Sequence, residues 1–187
     1  IKGTADIAAL ADATSTSQTA DAKVDIAHET VDGFQLDDDL RVQGSSSIEG
    51  SVDSLLGAEA TSTGDKAEAE VDLEGTSWTG VEMGGGYGPE DVFTNGDLSL
   101  NGSVSQLSNA EATSVDGKAD AEFRADEYTG SNLNDFEVGG SAEIAGEVGL
   151  ETNASATTTN GNAFSDNELQ GAVQGVNANE LEIAGNL

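Results

Sequence analysis

The feature that most constrains this chain is an internal repeat, in which a glycine is followed eight residues later by Ala-x-Ala-Thr. It occurs at Gly3 with Ala11-Asp12-Ala13-Thr14 and at Gly50 with Ala58-Glu59-Ala60-Thr61. It returns at Gly102 with Ala110-Glu111-Ala112-Thr113 and at Gly146 with Ala154-Ser155-Ala156-Thr157. A further copy opens at Ile183-Ala184-Gly185 and runs out at Leu187. One such unit cannot bury an apolar face alone and must stack on its neighbours, so the repeat decides the architecture. The frame divides the chain into units of about 3–49, 50–101, 102–145 and 146–184, with a partial fifth at 185–187, within a single β-repeat domain.

Inside each unit, hydrophobicity alternates with a period of two, the signature of strands with one buried face. From Leu40 to Ser62 one face reads Leu40, Val42, Gly44, Ser46, Ile48, Gly50, Val52, Ser54, Leu56, Ala58, Ala60, and the other is mostly polar. The same alternation runs from Phe136 to Ala156. Each outgoing run ends at a turn pair, Gly64-Asp65, Asp116-Gly117 or Asn160-Gly161, and an alternating return follows, such as Ala67, Ala69, Val71, Leu73. Asp-Gly and Asn-Gly favour two-residue hairpins, because both central residues take positive φ. The expectation is an all-β fold, a four-repeat antiparallel meander of long hairpins closed as a flattened barrel or sandwich. A parallel β-solenoid is the alternative. Runs this long exceed the ~10 residues of ordinary strands, so each bends at its repeat glycine or belongs to an elongated body.

Charge narrows the function classes. Acidic residues number 36 against 6 basic ones, for a net charge of -30. Such a surface repels nucleic acid and anionic lipid. No stretch approaches the ~20 apolar residues of a membrane helix, and the small-residue apolar face lacks the aromatic girdles of a membrane barrel. There is no cysteine, hence no disulfide framework and no thiol chemistry. The regular apolar spacing argues against the disorder that high charge otherwise suggests. An acidic, lysine-poor, cysteine-free repeat suits an extracellular or cell-surface location.

No residue pattern calls for catalysis. His28 is the sole histidine and has no triad partners by spacing. Carboxylate pairs that could serve as acid and base occur throughout, so none is singled out, and the chain is read as a non-enzyme. No cofactor is expected, with Ca2+ at Asp37, Asp38 and Asp39 as the one candidate, held with loop carbonyls. Trp78, Tyr87 and Phe93, in and beside the 84–97 loop, are candidate contacts for adhesion or for cell-surface glycans. The ends of the chain share a repeat phase. Ile1, Gly3, Ala5 and Ile7 read as one half of an outgoing strand, and Leu181, Ile183, Gly185 and Leu187 as the other. Paired between molecules, these halves would build a homopolymer, an open head-to-tail filament. The leading expectation is therefore a self-assembling extracellular structural subunit, and the alternative is an adhesin or glycan-binding module using the 84–97 loop.

Overall fold

The computed structural model describes residues 1–27, 29–36, 40–84 and 92–187. It is all-β, and every strand pairing is parallel. The chain winds through four rungs. The first holds β1 (Lys2–Ser15), β2 (Ala20–Asp25), β3 (Thr30–Leu36) and β4 (Leu40–Val42). The second holds β5 (Ser46–Ser62), β6 (Ala67–Met83) and β7 (Val92–Thr94). The third holds β8 (Leu98–Asp116) and β9 (Ala119–Val138), and the fourth β10 (Ala142–Asn160), β11 (Ala163–Leu169) and β12 (Val173–Ile183). Outgoing strands form one sheet, in the order β1-β5-β8-β10. Returning strands form the facing sheet, where β2 and β3 pair β6, β6 pairs β9, and β9 pairs β11 and β12. At its far end β4 pairs β7 and β7 pairs β9.

The antiparallel meander is thus overturned in favour of the parallel β-solenoid. Outgoing and returning strands do not bond to each other. Each tight turn carries the chain from one sheet to the facing one, and hydrogen bonding runs between rungs. The reason lies in the repeat itself. In parallel register like meets like: Gly50 opposes Gly102, Ala58 opposes Ala110, and Thr61 opposes Thr113. A hairpin would discard all of these matches.

The register also shows where each rung starts. The run from Leu40 to Ser62 is two elements, β4 and β5, joined by an end turn at Gly44-Ser45. The alternation passes through that turn unbroken, which is why the sequence reads as one strand. Equivalent end turns fall at Gly96-Asp97 and Gly140-Ser141, so rungs begin near Ser46, Leu98 and Ala142. Gly185 donates its N–H to Gly140 O and belongs to this end-turn series, not to the Gly3 series.

The Gly3 series has a separate purpose. Gly3, Gly50, Gly102 and Gly146 stack in register across the first sheet. In the second sheet Gly80, Gly130 and Gly175 stand on the facing side, with Gly33 in the first rung. A Cβ added at Gly50 would lie 2.0 Å from Gly80 O, one at Gly102 1.8 Å from Gly130 O, and one at Gly146 1.6 Å from Gly175 O. No side chain fits there. The two sheets touch backbone to backbone along a waist that crosses every rung.

The waist separates two cores. On the tight-turn side, Ala58, Ala60, Ala67, Ala69 and their counterparts in the third rung fill a thin layer, and Leu56, Leu73, Phe123, Trp78 and Tyr128 fill a thicker one. On the other side Ile48, Val81, Met83, Leu100, Leu133 and Phe136 form a second cluster. The apolar face is thus graded in size along each rung. At ~3.3 Å per residue, the 19 residues of β8 span roughly 60 Å. Four rungs at ~4.8 Å rise only about 19 Å, so the molecule is a wide, shallow slab.

Gly102→Ala should destabilise the fold by about 3 kcal/mol or more, the upper range for overpacking, since neither wall of the waist can retreat without its whole sheet. Gly149→Ala is the matched control, because a Cβ there meets nothing within 4 Å. Its stability should stay level or rise slightly in urea denaturation. Equal losses in the two variants would refute the waist.

One inner row breaks the apolar pattern. Ile7, Ser54, Gln106 and Leu150 share it. Gln106 is 2 % exposed and donates from Nε2 to Ser108 Oγ at 2.8 Å, but its Oε1 has no partner within the protein. Ser54 Oγ, Trp78 Nε1 and Tyr128 Oη are buried nearby and likewise unpartnered. Trp78 and Tyr128 stack at 6.4 Å, with ring planes 14° apart. Burial pushes the Tyr128 phenol well above its ordinary range. A buried acceptor without a donor costs ~1–3 kcal/mol. Gln106→Leu should therefore raise the urea midpoint, since leucine already occupies this row at Leu150. A lowered midpoint would show that the amide is stabilising.

Candidate assembly interface

Two hydrogen-bond series tie each rung to the next, and both have a direction. At the tight turns, Ser62 Oγ donates to Gln18 O, Ser114 Oγ to Asp65 O and Thr158 Oγ1 to Gly117 O. Each hydroxyl follows directly on the repeat Ala-x-Ala-Thr, and Ser15 holds the equivalent place in the first rung. At the end turns the side chain of one rung accepts from the backbone of the next. Asp97 N–H donates to Ser45 Oγ at 3.2 Å, Ser141 N–H to Asp97 Oδ1 at 2.9 Å and Asn186 N–H to Ser141 Oγ at 3.3 Å. In both series the later rung donates and the earlier rung accepts.

The two outer faces differ in charge. On the second sheet, columns of opposite and adjacent residues form a grid. Lys23 lies opposite Glu70 and reaches it at 3.5 Å, with Asp72 at 3.4 Å and Asp25 at 3.3 Å. Arg124 contacts Glu70 at 3.3 Å and Glu122 at 2.5 Å. Lys66 holds Glu68 at 2.5 Å, and Lys118 holds Asp120 at 2.5 Å. Burial works against the Lys23 ammonium, but Glu70, Asp25 and Asp72 outweigh it and hold it above its ordinary 10.5. The hydrogen bond to Glu68 does the same for Lys66. Burial raises Glu70 above its ordinary 4.5, against the pull of Lys23 and Arg124. On the first sheet the columns are poorly neutralised. Asp6 opposes Asp53, and Asp12, Glu59 and Glu111 stack directly. Like charges in register repel.

These shifts share one sign. A group held above its ordinary pKa contributes fully below that value and loses its contribution as pH rises through the folded value. Glu70 favours mildly acidic solution, and Lys23 and Lys66 begin to lose their contribution only as pH rises past their ordinary 10.5. The melting temperature should be higher at pH 5 than at pH 8 and fall again beyond 10.5. A maximum near pH 8 would contradict this assignment.

The expected interface residues fall at the two open ends of the stack. Ile1, Gly3, Ala5 and Ile7 belong to or adjoin β1, an edge strand paired on one side with β5, and the Ile1 ammonium donates to Ser47 O at 2.7 Å. β1 has 14 residues and is no half-strand. Leu181 and Ile183 lie in the other sheet, paired with Phe136 and Val138 on β9. The two sets are therefore not halves of one strand, which corrects the sequence expectation. They lie at opposite ends of one column of rungs, and among the described residues nothing covers the outer edge of either rung. Leu169, Val173 and Val176 stand exposed on the last rung.

The other sequence candidates are dispersed. Trp78 is wholly buried against Tyr128 and is not a surface contact. Phe93 is half-buried in β7, opposite Glu137 on β9. His28, Asp37, Asp38, Asp39 and Tyr87 lie outside the described residues, as do residues 85–91 of the 84–97 loop. Among the described residues no three acidic or histidine side chains gather as a metal site. No helix among them is long and apolar enough to cross a membrane. Sequence reasoning missed an outward apolar patch on the first sheet. Leu10, Leu55 and Leu107 surround Gly57 beside a groove of about 820 Å3. Its signal was present, in leucines on the otherwise polar phase of the alternation.

The fold defines the chain as a two-sheet parallel β-solenoid. No protein-family model, no curated protein and no solved structure matches it.

Proposed function

We propose that this chain is a structural element, a solenoid segment that stacks end to end with further copies into an elongated fibre. The observation that carries the reading is the in-register repetition of the rungs, like residue on like residue, which a further rung of the same kind would extend. Open strand edges invite another chain to pair. Here the waist glycines line up through all four rungs, and the turn hydrogen bonds recur at each step between them. The groove and loop features offer no comparable regularity.

Stacked copies would each add about 19 Å, four rungs at ~4.8 Å. The purified chain at high micromolar concentration should form fibres by negative-stain electron microscopy, and aligned fibres should diffract at about 4.8 Å along their axis. Added salt should promote assembly by screening the acidic faces. A chain that sediments as a monomer at all concentrations and salts would overturn this reading.

A further inference from the structure

We infer that the partner at the open edge is a second copy of this chain, seated with its first rung on the fourth rung of its neighbour, in one register fixed by charge. This deepens the stacking reading and rests on it. The register between rungs can be carried one step beyond the molecule. Gly146 falls opposite the neighbour's Gly3, and Gly175 opposite its Gly33, so the waist runs on without a break.

The same step places Asp166 opposite Lys23 of the second copy, through Glu122 and Glu70 in the rungs between. It places Glu182 opposite Arg41, through Glu137 and Phe93. Within the chain, Lys23 bridges the acid opposite it, Glu70, and the diagonal Asp72. Across the junction Asp166 and Glu168 offer the same pair from the other side. Glu168 would also oppose Asp25, a like-charge contact of the kind the chain already tolerates between Asp25 and Asp72 beside Lys23. In the first sheet no like charges meet, since Asp6 falls opposite Gly149 and Asp12 opposite Ser155.

Other arrangements are worse. A slip of one residue would turn the buried face outward. A slip of two would set Asp166 against Asp21 or Asp25. Two fourth rungs cannot pair favourably, because positions 142–187 hold seven acidic residues and no lysine or arginine. The first rung holds Lys2, Lys23 and Arg41, half of the chain's 6 basic residues. The contact is therefore heterologous and open, and it builds a polar filament.

Two experiments test the register. Lys23→Asp with Arg41→Asp, or Asp166→Lys with Glu182→Lys, should each raise the critical concentration for assembly about tenfold or more, equivalent to ~1.4 kcal/mol per decade. All four changes in one chain should restore it to near the wild-type value. Circular dichroism melts report whether each variant still folds. The second test leaves the charges alone. Thr14 and Thr157 face outward in one row and would lie about 4.8 Å apart across the junction, within disulfide reach. Under mild oxidation, Thr14→Cys with Thr157→Cys in one chain should give a covalent ladder on a denaturing gel. Thr14→Cys with Thr159→Cys should not. Fibres whose charge variants assemble unchanged, or that cross-link equally in both cysteine pairs, would overturn the register and leave end-to-end stacking standing. A wild-type chain that never assembles would overturn both.

Discussion

The contact on which the rest of the structure depends is the closure of one sheet's backbone on the other at the glycine waist. It fixes how each rung folds over, because the glycine rows of the two sheets must meet. Once they meet, the side chains to either side have a set space to fill. Alanines near the tight turns let the sheets stay close enough for a few residues to join them. Larger residues occupy the thicker layers on both sides of the waist. Apolar burial contributes ~25 cal/mol per Å2, and alanine has little area to bury. The thin layer must draw its cohesion from close dispersion contact and from the long hydrogen-bonded ladders, of which β5 with β8 alone pairs residues from Ser46 to Ser62.

In-register stacking carries an electrostatic cost, and the two sheets meet it differently. Repeating the same residue in every rung repeats its charge, so a carboxylate column such as Asp12, Glu59 and Glu111 has no internal relief. On the second sheet Lys23, Lys66, Lys118 and Arg124 interrupt the columns, and with Arg41 on β4 five of the chain's 6 basic residues lie on that side. The first sheet remains acidic and solvated. That asymmetry would discourage two first sheets from associating face to face, where like columns would meet.

Much of this was legible in the sequence, though not in its obvious order. The all-β class and the inner face from Ile48 to Ala60 follow from alternation alone. The pairing direction did not, because Asp116-Gly117 and Asn160-Gly161 are as good at turning a chain between facing sheets as within one. The better guide was the repeat: Gly opposite Gly and Thr opposite Thr recur only in parallel register. Rung boundaries were hidden because the period-two pattern runs straight through the Gly44-Ser45 turn, where no apolar residue is out of place. Trp78 was misplaced because its neighbours in sequence form a long connection, whereas its own position belongs to β6, beside the waist. The Lys23 grid could not be read at all without the offset between rungs, since Glu70 and Asp72 lie far from Lys23 in sequence.

The polarity of the stack follows from the smallest groups in it. Hydroxyls at Ser62, Ser114 and Thr158 all donate toward the preceding rung, and backbone N–H groups at Asp97, Ser141 and Asn186 do the same. A fourth rung therefore presents acceptors at both turns, the carbonyls near Gly161 and the side chain of Asn186. A first rung presents a donor at one of them, the Ser15 hydroxyl. Two fourth rungs brought together would match acceptor with acceptor and acid with acid, and two first rungs would match donor with donor at the tight turn. In the fibre proposed above, hydrogen bonding and charge would favour the same orientation. The short Ala-x-Ala-Thr motif, with the hydroxyl residue that follows it, links the thin core, the tight turn and the direction of stacking in one segment.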